Sequence, residues 1–143
     1  MIEFWASYLE IIYKFLLASI LGGIIGVERS FFKKQAGLRT FALVSLGACL
    51  FTSNSLFFLT NDPTSASRVL ANLVVGIGFL GAGIIFLQKD KIYGLTTAAA
   101  LWVTAAIGGA VGLGLYFEAF LVTLITIIIL TLWYYLEKLI RKE

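Results

Sequence analysis

Leu121-Val122-Thr123-Leu124-Ile125-Thr126-Ile127-Ile128-Ile129-Leu130-Thr131-Leu132 runs without a charge and ends in Trp133-Tyr134-Tyr135. Extended back to about residue 117, the stretch is long enough to cross the roughly 30 Å hydrocarbon core of a bilayer, with its rings at headgroup level. The remainder of the chain has the same character. With 143 residues, 60% of them hydrophobic, and a mean hydropathy of +0.98, the sequence holds more apolar surface than a soluble core of that size requires. Charged residues are only 13% of the chain and gather in short clusters between apolar runs. The expected fold class is therefore an all-α integral membrane protein.

Working outward from that last helix, five stretches satisfy the requirement of about 20 apolar residues per span: about 7–27, 39–60, 68–87, 94–114 and 117–136. All belong to one domain covering residues 1–143. Asn61-Asp62-Pro63 is expected to be a loop, because proline lacks a backbone donor and biases the residue before it away from helix. Gln88-Lys89-Asp90-Lys91 is expected as a short link, and Glu137 to Glu143 as a charged tail. The first run is expected to be a retained helix rather than a secretory signal, since Glu3 and Glu10 stand where a basic n-region would be. Arg29, Lys33, Lys34, Arg39, Lys89, Lys91, Lys138, Arg141 and Lys142 fall on one side of an alternating five-helix chain, against Lys14 and Arg68 on the other. The positive-inside rule then puts the N-terminus outside and the C-terminus in the cytoplasm.

Two segments echo each other. Gly22-Gly23-Ile24-Ile25 leads to Gly37-Leu38-Arg39-Thr40, and Ala82-Gly83-Ile84-Ile85 leads to Gly94-Leu95-Thr96-Thr97. A parallel repeat of helices one and two as three and four would bring the two glycine-leucine turns together on the cytoplasmic side.

Small residues are the other signal. Ala18, Gly22 and Gly26 repeat at four-residue spacing, which lets helix backbones approach closely in lipid. Gly76, Gly78, Gly81 and Gly83 are denser than packing alone usually needs and could permit a break facing a cavity. They are not a nucleotide loop, as no Lys-Ser or Lys-Thr follows. Helix four, rich in Ala, Gly and Thr, is expected at the centre, and helix five facing lipid.

Ionisable residues near membrane depth are functional candidates. Glu28, Arg29 and Arg39, with Thr40, Thr96 and Thr97, are expected to form a cytoplasmic-side polar cluster; the alternative is that both arginines simply meet lipid phosphates. Asp62, Arg68 and Asn72 form an expected outer polar group, and Glu10 with Lys14 an i, i+4 pair. No carboxylate lies inside helices two to five, so a dehydrated Mg²⁺ site within one protomer is not expected, although a symmetric oligomer would double the acids present. The chain has no His and one cysteine, Cys49, in an apolar run. No serine has a nearby base, so no enzyme chemistry, cofactor or nucleic-acid partner is expected.

Gly22-Gly23-Ile24-Ile25-Gly26-Val27-Glu28-Arg29, Ala36-Gly37-Leu38-Arg39-Thr40, Asp62 with Arg68, Gly76 to Gly83, Gly94-Leu95-Thr96-Thr97-Ala98-Ala99 and Trp102 occur together, in order, over nearly the whole chain. In these segments the chain resembles the membrane domain of the MgtC/SapB family. The resemblance implies a bacterial inner-membrane protein linked to growth in low Mg²⁺ and, in some pathogens, to survival inside host cells. It also implies a regulatory role, including interaction with the ATP synthase, although some members are described as Mg²⁺ transporters. One departure is expected: the C-terminal soluble domain of the family's namesake is missing, so ligand sensing by that domain would not extend to this chain. The leading expectation is a protein that acts by binding membrane partners or its own copies, an isologous homodimer among them. The competing expectation is a transporter or channel for Mg²⁺ or another small solute, which would show a polar cavity lined by Arg39, Thr40, Thr96 and Thr97.

Overall fold

Lipid offers backbone N–H and C=O groups no partner, so an apolar chain of this kind must satisfy them within helices. The computed structural model describes residues 2–58 and 63–140, and most of that backbone is helical. Five helices, α1 (Ile2–Phe31), α2 (Leu38–Phe58), α3 (Pro63–Ile84), α4 (Leu95–Gly112) and α5 (Tyr116–Ile140), are joined by short connections. A small hairpin of β1 (Phe86–Gln88) and β2 (Lys91–Tyr93) separates α3 from α4. Helix α1 over Tyr8–Phe31, α3 over Ser67–Ile84, and α4 and α5 over their full lengths are long and apolar enough to cross a membrane. With 21 residues, α2 has a matching length of about 31 Å. It carries Arg39, Ser45, Thr52, Ser53 and Ser55, and lies chiefly against α1 and α4.

The helices meet through glycine. A Cβ on Gly22 would lie 2.6 Å from the Phe41 carbonyl oxygen and 2.6 Å from Ser45 Cβ, and one on Gly26 would lie 2.7 Å from Leu38 Cα. On the far side of α2, a Cβ on Gly108 would overlap the Ser45 carbonyl, and one on Gly112 would lie 2.7 Å from the Cys49 carbonyl. α2 is thus held between two glycine faces. Around them Ala18, Leu21, Ile25, Phe41, Cys49, Leu101, Ile107 and Val111 form a buried apolar core. Thr104, Thr123 and Thr126 bond to carbonyls one turn back in their own helices, so these buried hydroxyls are satisfied without water. Of the α4 span 61% is buried, of α3 only 11%; α4 is the central helix and α3 a peripheral one. Helix α5 buries a single stripe, Ala119, Thr123, Thr126 and Leu130, and turns most of its other Ile and Leu side chains outward.

Several expectations need correction. Pro63 is not in a loop but opens α3, where a missing N–H costs nothing because that donor has no partner inside the helix. Residues 86–88 do not continue α3: Phe86↔Tyr93, Leu87↔Ile92 and Gln88↔Lys91 pair as antiparallel strands. Lys89 and Asp90 make the two-residue turn, both with positive φ as the tight hairpin turn demands, a conformation that Asp tolerates and Lys rarely adopts. The supposed tail is helical through Ile140. Despite its four glycines, α3 runs unbroken to Ile84.

The two echoing segments do have a common construction. Gly37 and Gly94 each precede a helix, and the carbonyl of each accepts the first helical N–H, from Phe41 at 3.1 Å and from Ala98 at 2.8 Å. A Cβ at either would strike the end of the preceding helix, at Ser30 Oγ or the Ile84 carbonyl. Helix ends are otherwise closed by left-handed residues: Lys33 after α1 and Gly114 after α4. In both cases the following N–H reaches back five residues, Lys34 to Arg29 and Leu115 to Ala110.

The glycines therefore divide into two classes with opposite responses. Gly108→Ala should destabilise the protein by about 1–3 kcal/mol, because the Ser45 backbone must move to admit the methyl group. Gly78→Ala, with nothing within 4 Å, should stabilise by about 0.5–1 kcal/mol through helix propensity. Thermal unfolding in detergent reads both, and equal effects would contradict the packing described.

Candidate functional site

At the end of the molecule rich in Arg and Lys, α1 finishes with Glu28 and Arg29, 8% and 3% exposed. The guanidinium donates through Nε and Nη2 to both carboxylate oxygens of Glu28, a fork that neutralises each charge on the spot. One residue further, Ser30 Oγ accepts the Leu38 N–H at 3.0 Å and so satisfies a free donor at the start of α2. Across the same end, Thr97 Oγ1 donates to Gln35 Oε1 at 3.2 Å, tying the first turn of α4 to the α1–α2 connection. Lys34 Nζ sits 5.7 Å from the centroid of the Tyr134 ring, which also packs on Phe32, and this docks the end of α5.

Arg39 does not join the Glu28–Arg29 fork. It is exposed in the first turn of α2 and makes no ion pair among the described residues. With Thr40 it borders a groove of about 610 Å³ between α2 and α3. Thr96 is exposed on α4, whereas its neighbour Thr97 is buried. The six residues expected as one cluster thus fall into an inward pair with Thr97 and an outward trio of Arg39, Thr40 and Thr96. The grooves on the α2 side of α3 open laterally, and their other lining residues are apolar.

At the opposite end Lys14 Nζ pairs with Glu10 Oε1 at 2.8 Å, one helical turn apart. Asp62 lies outside the described residues. Arg68 and Asn72 are exposed one turn apart on α3. The expected packing or pathway glycines separate as well: Gly22 and Gly26 meet α2 closely, and Gly81 faces Ala98 at ordinary contact distance. Gly76, Gly78 and Gly83 have nothing beside them.

Two features escaped the sequence. Ser45 Oγ and Thr52 Oγ1, fully buried seven residues apart on α2, have no hydrogen-bond partner among the described residues. Gln35 bridges to α4, a link that no spacing rule joins across the intervening helices. Among the described residues no three His, Cys, Asp or Glu side chains gather as a metal cage. The basic end can instead hold anions outside and a self-neutralised ion pair within.

The fork gives a sharp expectation. Arg29→Gln or Glu28→Gln alone leaves one buried charge unpaired and should cost on the order of 3–5 kcal/mol. Glu28→Gln with Arg29→Gln should recover much of that loss. A double-mutant cycle on thermal stability checks the coupling; additive losses would mean that the two groups are solvated separately.

Residues 15–139 match the model of the MgtC family. Protein MgtC of Salmonella typhimurium (strain LT2) is 46% identical over 114 residues, which is 80% of this chain and 48% of that protein. The putative magnesium transporter YhiD of Escherichia coli (strain K12) is 40% identical over 141 residues, 94% of this chain and 66% of that protein. An uncharacterized protein of Synechocystis sp. is 41% identical over 119 residues, 83% of this chain and 50% of that protein. No solved structure matches. The chain spans about half the length of the Salmonella MgtC that it matches. With the family match running from the first membrane helix to the last, and relatives alike over most of its length, this multi-pass membrane protein belongs to the MgtC family.

Proposed function

We propose that the protein is a bacterial inner-membrane regulator in adaptation to low magnesium, acting by association with membrane partners or its own copies. The basic end, with Arg29, Lys33, Lys34, Arg39, Lys89, Lys91 and Lys138, then faces the cytoplasm. The observation that carries this reading is α3. Asn72 points outward from a helix that buries only 11% of its span, with Gly76 one turn on and also uncovered. A polar amide beside a backbone left open by glycine is the pattern by which helices associate in lipid. The centre, meanwhile, is closed by backbone contacts of Gly22, Gly26, Gly108 and Gly112 and by an apolar core. The ATP synthase is one candidate partner suggested by the family, and a homodimer through α3 is another.

Transport is the second reading, favoured by the name of the Escherichia coli relative, a putative magnesium transporter. Two measurements separate them. Energy transfer between labelled copies, or between this protein and a captured membrane partner, should fall several-fold in Asn72→Leu with membrane abundance unchanged. Reconstituted protein should give no more Mg²⁺ influx than empty liposomes. Protein-dependent influx abolished by Arg39→Gln, with association untouched by Asn72→Leu, would replace regulation with transport.

A further inference from the structure

The groove between α2 and α3 has a definite shape and polarity. Arg39, Leu43, Gly47 and Phe51 follow one another at four-residue steps down α2, and Leu73, Ile77 and Leu80 face them from α3. Ala48 and Ile77, both buried, meet at its floor. The groove is widened at Gly47, where the missing side chain leaves nothing within 4 Å. Only its mouth is polar: the unpaired Arg39 guanidinium and the Thr40 hydroxyl sit there at the basic end of the molecule. A second depression of about 340 Å³ shares Thr40 and Leu80 with it and continues along Gly83 at the same end.

Length decides among occupants. From Arg39 to Phe51 is about 18 Å along the helix, close to half the roughly 30 Å hydrocarbon thickness plus the step to the headgroup. A transmembrane helix of a partner would need the full thickness. A glycerophospholipid of one leaflet needs this length, with an anion at one end and a hydrocarbon chain along the rest. Arg39 is the residue type whose planar fork matches a phosphate, and among the described residues its side chain has no competing carboxylate. Arg29, by contrast, is held by Glu28 and is unavailable.

We propose that the α2–α3 groove is a specific seat for one anionic phospholipid of the leaflet at the basic end. Its phosphate is held by Arg39 and Thr40, and one acyl chain lies over Gly47 between Leu43, Phe51, Ile77 and Leu80. The seat follows from the bundle geometry and stands whether the protein regulates or transports. By filling the cleft between the peripheral α3 and the packed helices, the lipid couples the position of α3 to the composition of that leaflet.

Native mass spectrometry of the full chain, extracted from its membrane in mild detergent, reads the seat directly as retained phospholipid. The wild-type protein should keep one anionic phospholipid through delipidation. Arg39→Gln should lower its retention about tenfold, by removing the charge-assisted bonds. Gly47→Leu should lower it comparably by filling the acyl channel, and it should fold normally because a Cβ there meets nothing within 4 Å and the rest of the side chain has the groove to enter. Lys138→Gln, an exposed cation at the same end but outside the groove, should change nothing. Retention unaffected by Arg39→Gln or by Gly47→Leu overturns the seat, as does an equal loss in Lys138→Gln, which would indicate general electrostatics. Conversion of a dimer to a monomer by Gly47→Leu with lipid retention intact would assign the groove to a second copy and likewise overturn it.

Discussion

Two apolar helices in lipid gain nothing from leaving their surroundings, because the acyl chains are as apolar as leucine. What remains is dispersion, which grows only when atoms approach to contact distance, so the bundle depends on how closely α2 can be gripped. Gly22 and Gly26 bring α1 against the backbone of Phe41 and Leu38, and Gly108 and Gly112 bring α4 against that of Ser45 and Cys49. Ser45 stands at the intersection, touched by α1 at its Cβ and by α4 at its carbonyl. Its hydroxyl is left without a partner in the process, as is that of Thr52. Close backbone packing here outweighs two unpaired hydroxyls.

The same grip determines where charge can sit. At the basic end Glu28 and Arg29 are buried side by side and neutralise each other. Arg39, ten residues later on the opposite side of a tight turn, is left on the exterior. One cationic end thus contains a charge pair that serves the fold and a free arginine that is open to an anion. Arginine content alone does not distinguish these roles; the direction in which each helix face points does.

Helix α3 is the counterpart to this rigidity. It touches α2 and α4 along a narrow face through Leu73, Ile77 and Gly81, and leaves the rest of its circumference to lipid or partners. A helix held so lightly at the edge of a tightly packed trio is the element best able to shift in response to a bound lipid or protein. Its connection to α4 is a hairpin whose six strand residues are all exposed, so the link itself adds little restraint.

The membrane class, the helices and the central place of α4 were legible in the sequence, because spans are written in hydropathy and close contacts in small residues. The span of helix α5 could be read from its Ile and Leu run, but not its continuation through Ile140 or the docking of Tyr134 beside Lys34. Local signals failed where a backbone choice had competing solutions, as at Pro63, which suits a helix start as well as a loop, and at Lys89-Asp90, where non-glycine residues adopt the left-handed turn. The glycines show the boundary between sequence and structure most clearly. Gly22, Gly76, Gly78 and Gly108 are chemically identical, and only the packing of the helices decides which meet a neighbour and which meet open space. The partition of Glu28, Arg29 and Arg39 belongs to the same class of question, since a charge is inside or outside only with respect to helices brought together from distant parts of the chain.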